Sequence, residues 1–127
     1  MQPTVFEDVL RFMIACGQIP PETPTVHETE LSELYKSLIQ EEVSEFWEAE
    51  AVANDQEMLD ACFDMIWVIV GYMHARGWNA QAAWNVGAAS NHSKIDPATG
   101  KVIRREDGKI LKPVGWEPPN FGEFVIK

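Results

Sequence analysis

The chain of 127 residues has the length of one ordinary domain, and 46% hydrophobic with 24% charged residues is a soluble, globular composition. A net charge of −10, from 20 acidic and 10 basic side chains, argues against a general nucleic-acid binder, which needs a basic footprint. The longest apolar run, Met65 to Val70, is too short to span a bilayer, and the opening Met-Gln-Pro-Thr lacks a basic region followed by an apolar stretch. A cytoplasmic protein with no membrane partner is expected, folded as a single domain over residues 1–127.

Apolar residues at Val5, Phe6, Val9, Leu10, Phe12 and Met13 predict a first helix from Val5 to Cys16, stopped at Gly17. Three prolines and two threonines between Gln18 and His27 predict a loop. A long helix follows from about Glu28 to Val52, broken at Asn54-Asp55. A third helix runs from about Gln56 to Arg76 and stops at Gly77. It is apolar on all sides after Asp64, which predicts the central, most buried helix. Asn79 reads as the N-cap of a fourth helix reaching Ser90. Beyond it, Lys101–Arg105 and Lys109–Lys112 flank Asp107-Gly108 as a small hairpin, and the tail from Pro113 reads as extended. Cys16 and Cys62 both fall in apolar helical patterns and read as buried thiols in a reducing compartment.

The acids are unevenly spread. From Glu28 to Asp64 there are twelve acids and one base, Lys36; from Lys94 to Lys112 there are six bases and three acids. One half is suited to cations and the other to an anion. On a wheel of about 100° per residue, Leu31, Leu34, Leu38, Ala49 and Val52 share one sector of the long helix. Glu41, Glu42 and Glu45 lie in or beside that sector instead of joining Lys36, Gln40, Ser44 and Glu48 opposite. On the third helix Glu57, Asp60 and Asp64 share a face and run into the apolar stretch after Asp64. Buried unpaired carboxylates cost several kcal/mol each or take up protons. A divalent metal is the economical partner, and magnesium, which takes oxygen ligands and works beside phosphates, suits the set best. The bland reading, an acidic helix face in water, is weakened because two helices show the same anomaly.

Glu41-Glu42-Val43-Ser44-Glu45, then Asp60-Ala-Cys-Phe-Asp64 and the apolar run to Gly71, resemble the MazG-like all-α nucleoside triphosphate pyrophosphohydrolases, whose signature is EExxE on one helix and ExxD on the next. Asn91-His92-Ser93-Lys94, Asp107-Gly108-Lys109-Ile110-Leu111-Lys112-Pro113 and Gly115-Trp116-Glu117-Pro118 extend the resemblance towards the branch of phosphoribosyl-ATP pyrophosphohydrolase-like proteins and MazG-fold dUTP pyrophosphatases. The resemblance implies an all-α, four-helix bundle with a C-terminal extended segment or small hairpin. It implies a Mg²⁺-dependent hydrolase, Mn²⁺ substituting, that cleaves a nucleotide substrate (an NTP or dNTP, dUTP included) between the α and β phosphates. It also implies at least a homodimer, an expectation that the apolar content of the third helix supports.

Metal binding is carried over to Glu41, Glu42, Glu45 and Asp64. The motif glutamate falls on Ala61, so either Asp60 substitutes from the next position or Glu57 and Asp60 form the pair. Glu42 is the candidate general base. Lys94, Lys109 and Lys112 are candidate phosphate contacts, with Asn91 on base or sugar, and the basic tail is expected to close over the substrate. Arg104 and Arg105 read as surface residues, His74 as an ordinary helix residue, and Trp47 and Trp67 as core or dimer contacts. Two rivals stay open: phosphoribosyl-ATP as substrate, and a non-catalytic metal- or nucleotide-binding helical dimer with a regulatory role.

Overall fold

In a computed structural model, which describes residues 2–125, the chain is mostly helical. Helices α1 (Val5–Ala15), α2 (Glu30–Ala51), α3 (Asp55–Ala75) and α4 (Ala80–His92) precede strands β1 (Ile95–Asp96) and β2 (Lys101–Val102) and a one-turn helix, α5 (Gly122–Val125). The expected all-α architecture with a C-terminal hairpin is present. The contacts divide the chain into two compact units, one made of residues up to Ala80 with Val125, the other of Gln81–Phe124.

In the first unit the helix starts are fixed by local side chains. The Glu7 N–H donates to Thr4 Oγ1, and the Thr4 N–H donates back to Glu7 Oε1, both at 3.1 Å. Thr29 and Ser32 repeat this box at the start of α2, at 3.1 and 2.7 Å. Asn54 caps α3 by accepting the Glu57 N–H at 3.1 Å. Gly17 and Gly77, the predicted stops, take φ of 78° and 70°, where a side chain is strained.

Helices α2 and α3 pair along their length, and both use one seam. On α2 the seam is Ser32, Tyr35, Ile39, Glu42, Phe46 and Ala49; on α3 it is Ala61, Asp64, Val68, Gly71 and Ala75. Steps alternate between three and four residues, the spacing of helices packed nearly antiparallel. Gly71 fixes the register, because a Cβ there would overlap the Tyr35 ring. Tyr35 is buried, and its hydroxyl donates to Gln18 Oε1 at 2.6 Å. Helix α1 adds Phe6, Val9 and Met13 to the same core. Val9 and Met13 are almost wholly enclosed, each worth about 1.5–3 kcal/mol of apolar burial. His74 is structural, as expected: its Nε2–H donates to the Phe6 carbonyl at 2.9 Å.

Several expectations change. The buried face of α2 is rotated by roughly 80° from the leucine sector on the same wheel. Leu34 and Val52 are exposed, while Ser32 and Tyr35 take the core positions. Helix α3 carries the most buried residues and packs against both α1 and α2, as expected of the central helix, but it is not buried all round, since Phe63, Ile66 (57% exposed) and Ile69 face outwards on this chain. Its 18-residue window of mean hydropathy 1.3 is, by length and composition alone, apolar enough to cross a membrane, contrary to the reading from the short run. Its acids and its pairing with α2 mark it as a bundle helix. Cys16 is exposed at the α1 C-cap and Cys62 half-buried; both are free thiols. Trp47 is 60% exposed, whereas Trp67 packs between Phe12 and Phe63, with ring centroids at 5.6 and 5.7 Å.

The Pro-rich loop is tied to the end of α3. Arg76 donates from Nε to Thr25 Oγ1 at 2.8 Å, from Nη2 to the Thr25 carbonyl at 2.9 Å and from Nη1 to Glu28 Oε1 at 3.1 Å. Its guanidinium lies 4.8 Å from the Trp78 ring centroid. Glu28 also accepts from the Tyr72 hydroxyl and from Ser32 Oγ, and these hydrogen bonds hold its carboxyl below the usual range.

In the second unit, β1 and β2 pair antiparallel with Ile95 opposite Val102 and Asp96 opposite Lys101. The turn expected at Asp107-Gly108 is present, with Gly108 at φ 91° and one antiparallel bridge, Arg104 to Ile110. The regular ladder lies one turn earlier, at the Asp96-Pro97 to Thr99-Gly100 signals. The tail, expected to be extended over Pro113 to Lys127, forms the one-turn helix α5 near its end; residues 126–127 lie outside the described residues.

Replacing Gly71 by Ala should lower stability by about 1–3 kcal/mol, the range for overpacking a close contact. Urea denaturation measures it; an unchanged midpoint would show that the Tyr35 ring does not hold the register.

Candidate active site

Seven residues beyond Tyr35 on α2 stands Glu42; seven residues before Gly71 on α3 stands Asp64. The register that presses Tyr35 on Gly71 thus brings these two carboxylates face to face. Glu45, three residues on, joins them, and one oxygen from each of Glu42, Glu45 and Asp64 lies within 4.8 Å of the others. Glu42 and Asp64 are half-buried, while Glu45 is exposed.

Burial and crowding disturb these acids. Desolvation is the largest effect on Glu42, followed by a hydrogen bond shared with Glu45 and the charges of Asp64, Glu45 and Glu41; together they push its carboxyl up to about 7. Its Oε2 is buried and has no hydrogen-bond partner among the described residues. Asp64 is pushed up as well, by burial first and then by Asp60 and Glu45. Lys36, the one base in the acidic stretch, pairs with Glu33 at 3.5 Å. The set is all oxygen and carries excess negative charge. It could hold a metal ion, and an orphaned, buried carboxylate oxygen is what such an ion would satisfy.

The other candidates are placed as follows. Glu41 is exposed and outside the group of three. Asp60 and Glu57 line an adjoining cleft of about 440 Å³ together with Glu45, Glu48 and Asn54. Ala61, where the motif glutamate falls, is buried in the seam. Within the second unit, Lys94 Nζ donates to Asn91 Oδ1 at 3.2 Å, and Lys94 and Lys112 both lie over the Trp116 ring. Lys109 sits on the Gly108 turn, where its N–H donates to Asp107 Oδ1 at 3.1 Å. Arg105 pairs with Asp107 at 2.5 Å on the surface, as expected of it. The sequence reading missed Trp116 as a meeting point for the lysines, and it missed the Glu28–Tyr72–Arg76 network, whose partners lie 44 and 48 residues apart in the chain.

Residues 9–91 match the profile of the phosphoribosyl-ATP pyrophosphohydrolase family. The chain belongs to that family. It is therefore a pyrophosphohydrolase, a hydrolase of phosphoanhydride bonds, within the MazG-like nucleotide pyrophosphohydrolase superfamily. The family is typically metal-dependent, in keeping with the carboxylate group. The match takes in α2 and α3, hence Glu42, Glu45 and Asp64, and ends at Asn91, before Lys94. It favours the catalytic reading over the non-catalytic rival. No individually curated protein matches the sequence.

The raised Glu42 has a thermodynamic signature. Between about pH 4.5 and about pH 7 the folded, metal-free chain keeps a proton that the unfolded chain has released, so stability falls as pH rises through that window. The melting temperature of metal-free protein should drop across it, and Glu42→Gln should flatten the drop. Added divalent metal should raise the melting temperature more above the window than below it. A metal-free profile that climbs with pH would show that Glu42 is not raised.

Proposed function

We propose that this family member hydrolyses a nucleoside triphosphate, NTP or dNTP, between the α and β phosphates, releasing a monophosphate and pyrophosphate. The observation that carries the reading is the convergence of Glu42, Glu45 and Asp64 within 4.8 Å, with Glu42 raised to about 7 and one of its oxygens unpartnered. Mg²⁺ is the proposed metal and Mn²⁺ the substitute, since three hard oxygen donors beside a phosphate substrate suit both.

Glu42, Glu45 and Asp64 would hold the metal, with Asp60 and Glu41 as outer carboxylates at the rim. The metal supplies neutralisation of the triphosphate charge and a more acidic water. The chain's own residues do the remainder. Glu42 is the residue proposed to accept the proton of the attacking water, from its place in the seam beside Glu45 and Asp64. Glu45 is exposed and lines the adjoining cleft. Asn91, Lys94, Lys109 and Lys112 are proposed as substrate contacts, Asn91 on base or sugar and the lysine charges answering the phosphates. A homodimer fits the outward-facing Phe63, Ile66 and Ile69 of α3, and a cytoplasmic location fits two free thiols.

Phosphoribosyl-ATP is the second reading, favoured by the name of the matched family. The lysine-bearing segment beyond residue 91, which lies outside the match, favours the simple triphosphate.

A panel of NTPs and dNTPs, with phosphoribosyl-ATP beside them, should separate the two readings in the presence of Mg²⁺ or Mn²⁺. Monophosphate and pyrophosphate from a triphosphate are expected; turnover of phosphoribosyl-ATP alone would transfer the assignment to the second reading. Release of orthophosphate would overturn the cleavage position. Glu42→Gln and Asp64→Asn should each lower kcat by at least about 10²-fold, at the low end for a lost general base. Full activity in either variant would move the site elsewhere.

A further inference from the structure

The signature that this chain resembles carries a glutamate where the chain has Ala61. Residues three and four before Asp64 lie on opposite flanks of it, about 60° and 40° round the helix. Ala61 is 3% exposed and sits in the seam, whereas Asp60, on the other flank, is exposed. A side chain at 60 therefore does not stand in for one at 61. Asp60 instead lines the cleft of about 440 Å³ with Glu48 and Glu57, and Glu57 lies about one turn further still from Asp64. Glu41 is exposed as well. Among the described residues, the acids gathered within 4.8 Å are Glu42, Glu45 and Asp64 and no other.

Three carboxylates suffice for one dication and are too few for two. One divalent ion leaves the group with a negative charge over. Two would leave it positive, with doubly charged ions about 3.5–4 Å apart, the spacing of two-metal sites, and only three acids to divide between them. Dications that close repel strongly, and a surplus of carboxylate charge is what offsets the repulsion. The one buried carboxylate oxygen without a partner, Glu42 Oε2, already faces a demand that a single ion meets. At position 61 the seam offers a methyl group, which neither coordinates an ion nor neutralises one.

We propose that the seam holds one resident divalent ion per chain, on Glu42, Glu45 and Asp64, and that Ala61 sets this number by withholding the carboxylate that a second ion needs. A second ion taking part in the reaction then has to arrive with the triphosphate, whose oxygens supply the ligands that the chain lacks. The proposal rests on the metal reading given above and narrows it; its test reads binding, not turnover.

The test is titration of Mn²⁺ into the full chain, stripped of metal and dialysed free of chelator, with no nucleotide present. Calorimetry gives the count, and loss of the free Mn²⁺ electron-spin-resonance signal gives it independently. One tight equivalent per chain is expected. Asp64→Asn should weaken it at least about tenfold. Asp60→Asn and Glu57→Gln should each leave the count at one and the affinity within about threefold, as loss of an exposed charge nearby does. Ala61→Glu should raise the count to two, and circular dichroism shows whether that variant, with an acid at a buried position, still folds. If it does not, the wild-type count and the two exposed-acid variants decide. Two tight equivalents in wild type, an equivalent lost in Asp60→Asn or Glu57→Gln, or a folded Ala61→Glu that still takes one ion would each overturn the proposal. No binding by wild type would overturn it together with the metal reading. A chain that cleaves nucleotide yet holds two ions defeats this inference alone; one that holds a single ion yet cleaves nothing defeats the earlier reading alone.

Discussion

The packing of the Tyr35 ring against the bare backbone of Gly71 is the constraint on which the rest of the first unit depends. Apolar and acidic stripes alone do not single out one register for two long helices. Gly71 is a position on α3 where a bulky ring can enter, and Tyr35 is a large buried residue on α2 whose hydroxyl is also satisfied, by Gln18. Once these two meet, every other seam position is assigned, including the two that carry carboxylates.

That assignment works against stability. A leucine at position 42 would extend the core between Ile39 and Phe46. The chain instead places an acid there, opposite a second acid, and the result is a proton held near neutral pH. Such local conflicts between fold and composition mark functional sites more often than structural ones. The conflict is also graded. Glu41, Glu42 and Glu45 look alike in sequence, yet only Glu42 sits in the seam. Glu45 reaches the group from the rim, and Glu41 acts on it through its charge.

Much of this was legible in the sequence. Thr4, Asn54, Gly17 and Gly77 announce helix ends by local chemistry, and the helices begin and stop within two residues of those signals. The acidic anomaly was legible too, since Glu42 and Asp64 interrupt apolar patterns. The orientation of α2 was not. Leucines mark a core face by default, but here Ser32 and Tyr35 occupy it: Ser32 is satisfied by its neighbours Thr29 and Glu28, and Tyr35 is matched to a glycine on another helix. Tyr35's glycine is on another helix, so a helical wheel cannot see it. The same holds for Trp116, whose lysines come from positions 22 residues before it and four before it. Phe63, Ile66 and Ile69 read as core because the sequence records their apolarity without recording what covers them.

The seven-residue intervals from Tyr35 to Glu42 and from Asp64 to Gly71 act as a pair of matched rulers. Inserting or deleting one residue in either would turn the carboxylate by about 100° and slide it by about 1.5 Å, out of the seam and away from its opposite. Compensation would have to come as a whole heptad in both helices at once, with a residual drift of about 20°. Point substitution is thus open to this pair of helices over much of their surface, whereas change of length between these four residues is closed. Evolution of new substrate preferences in such a chain is confined to altering side chains on the bundle and to lengthening what lies beyond it.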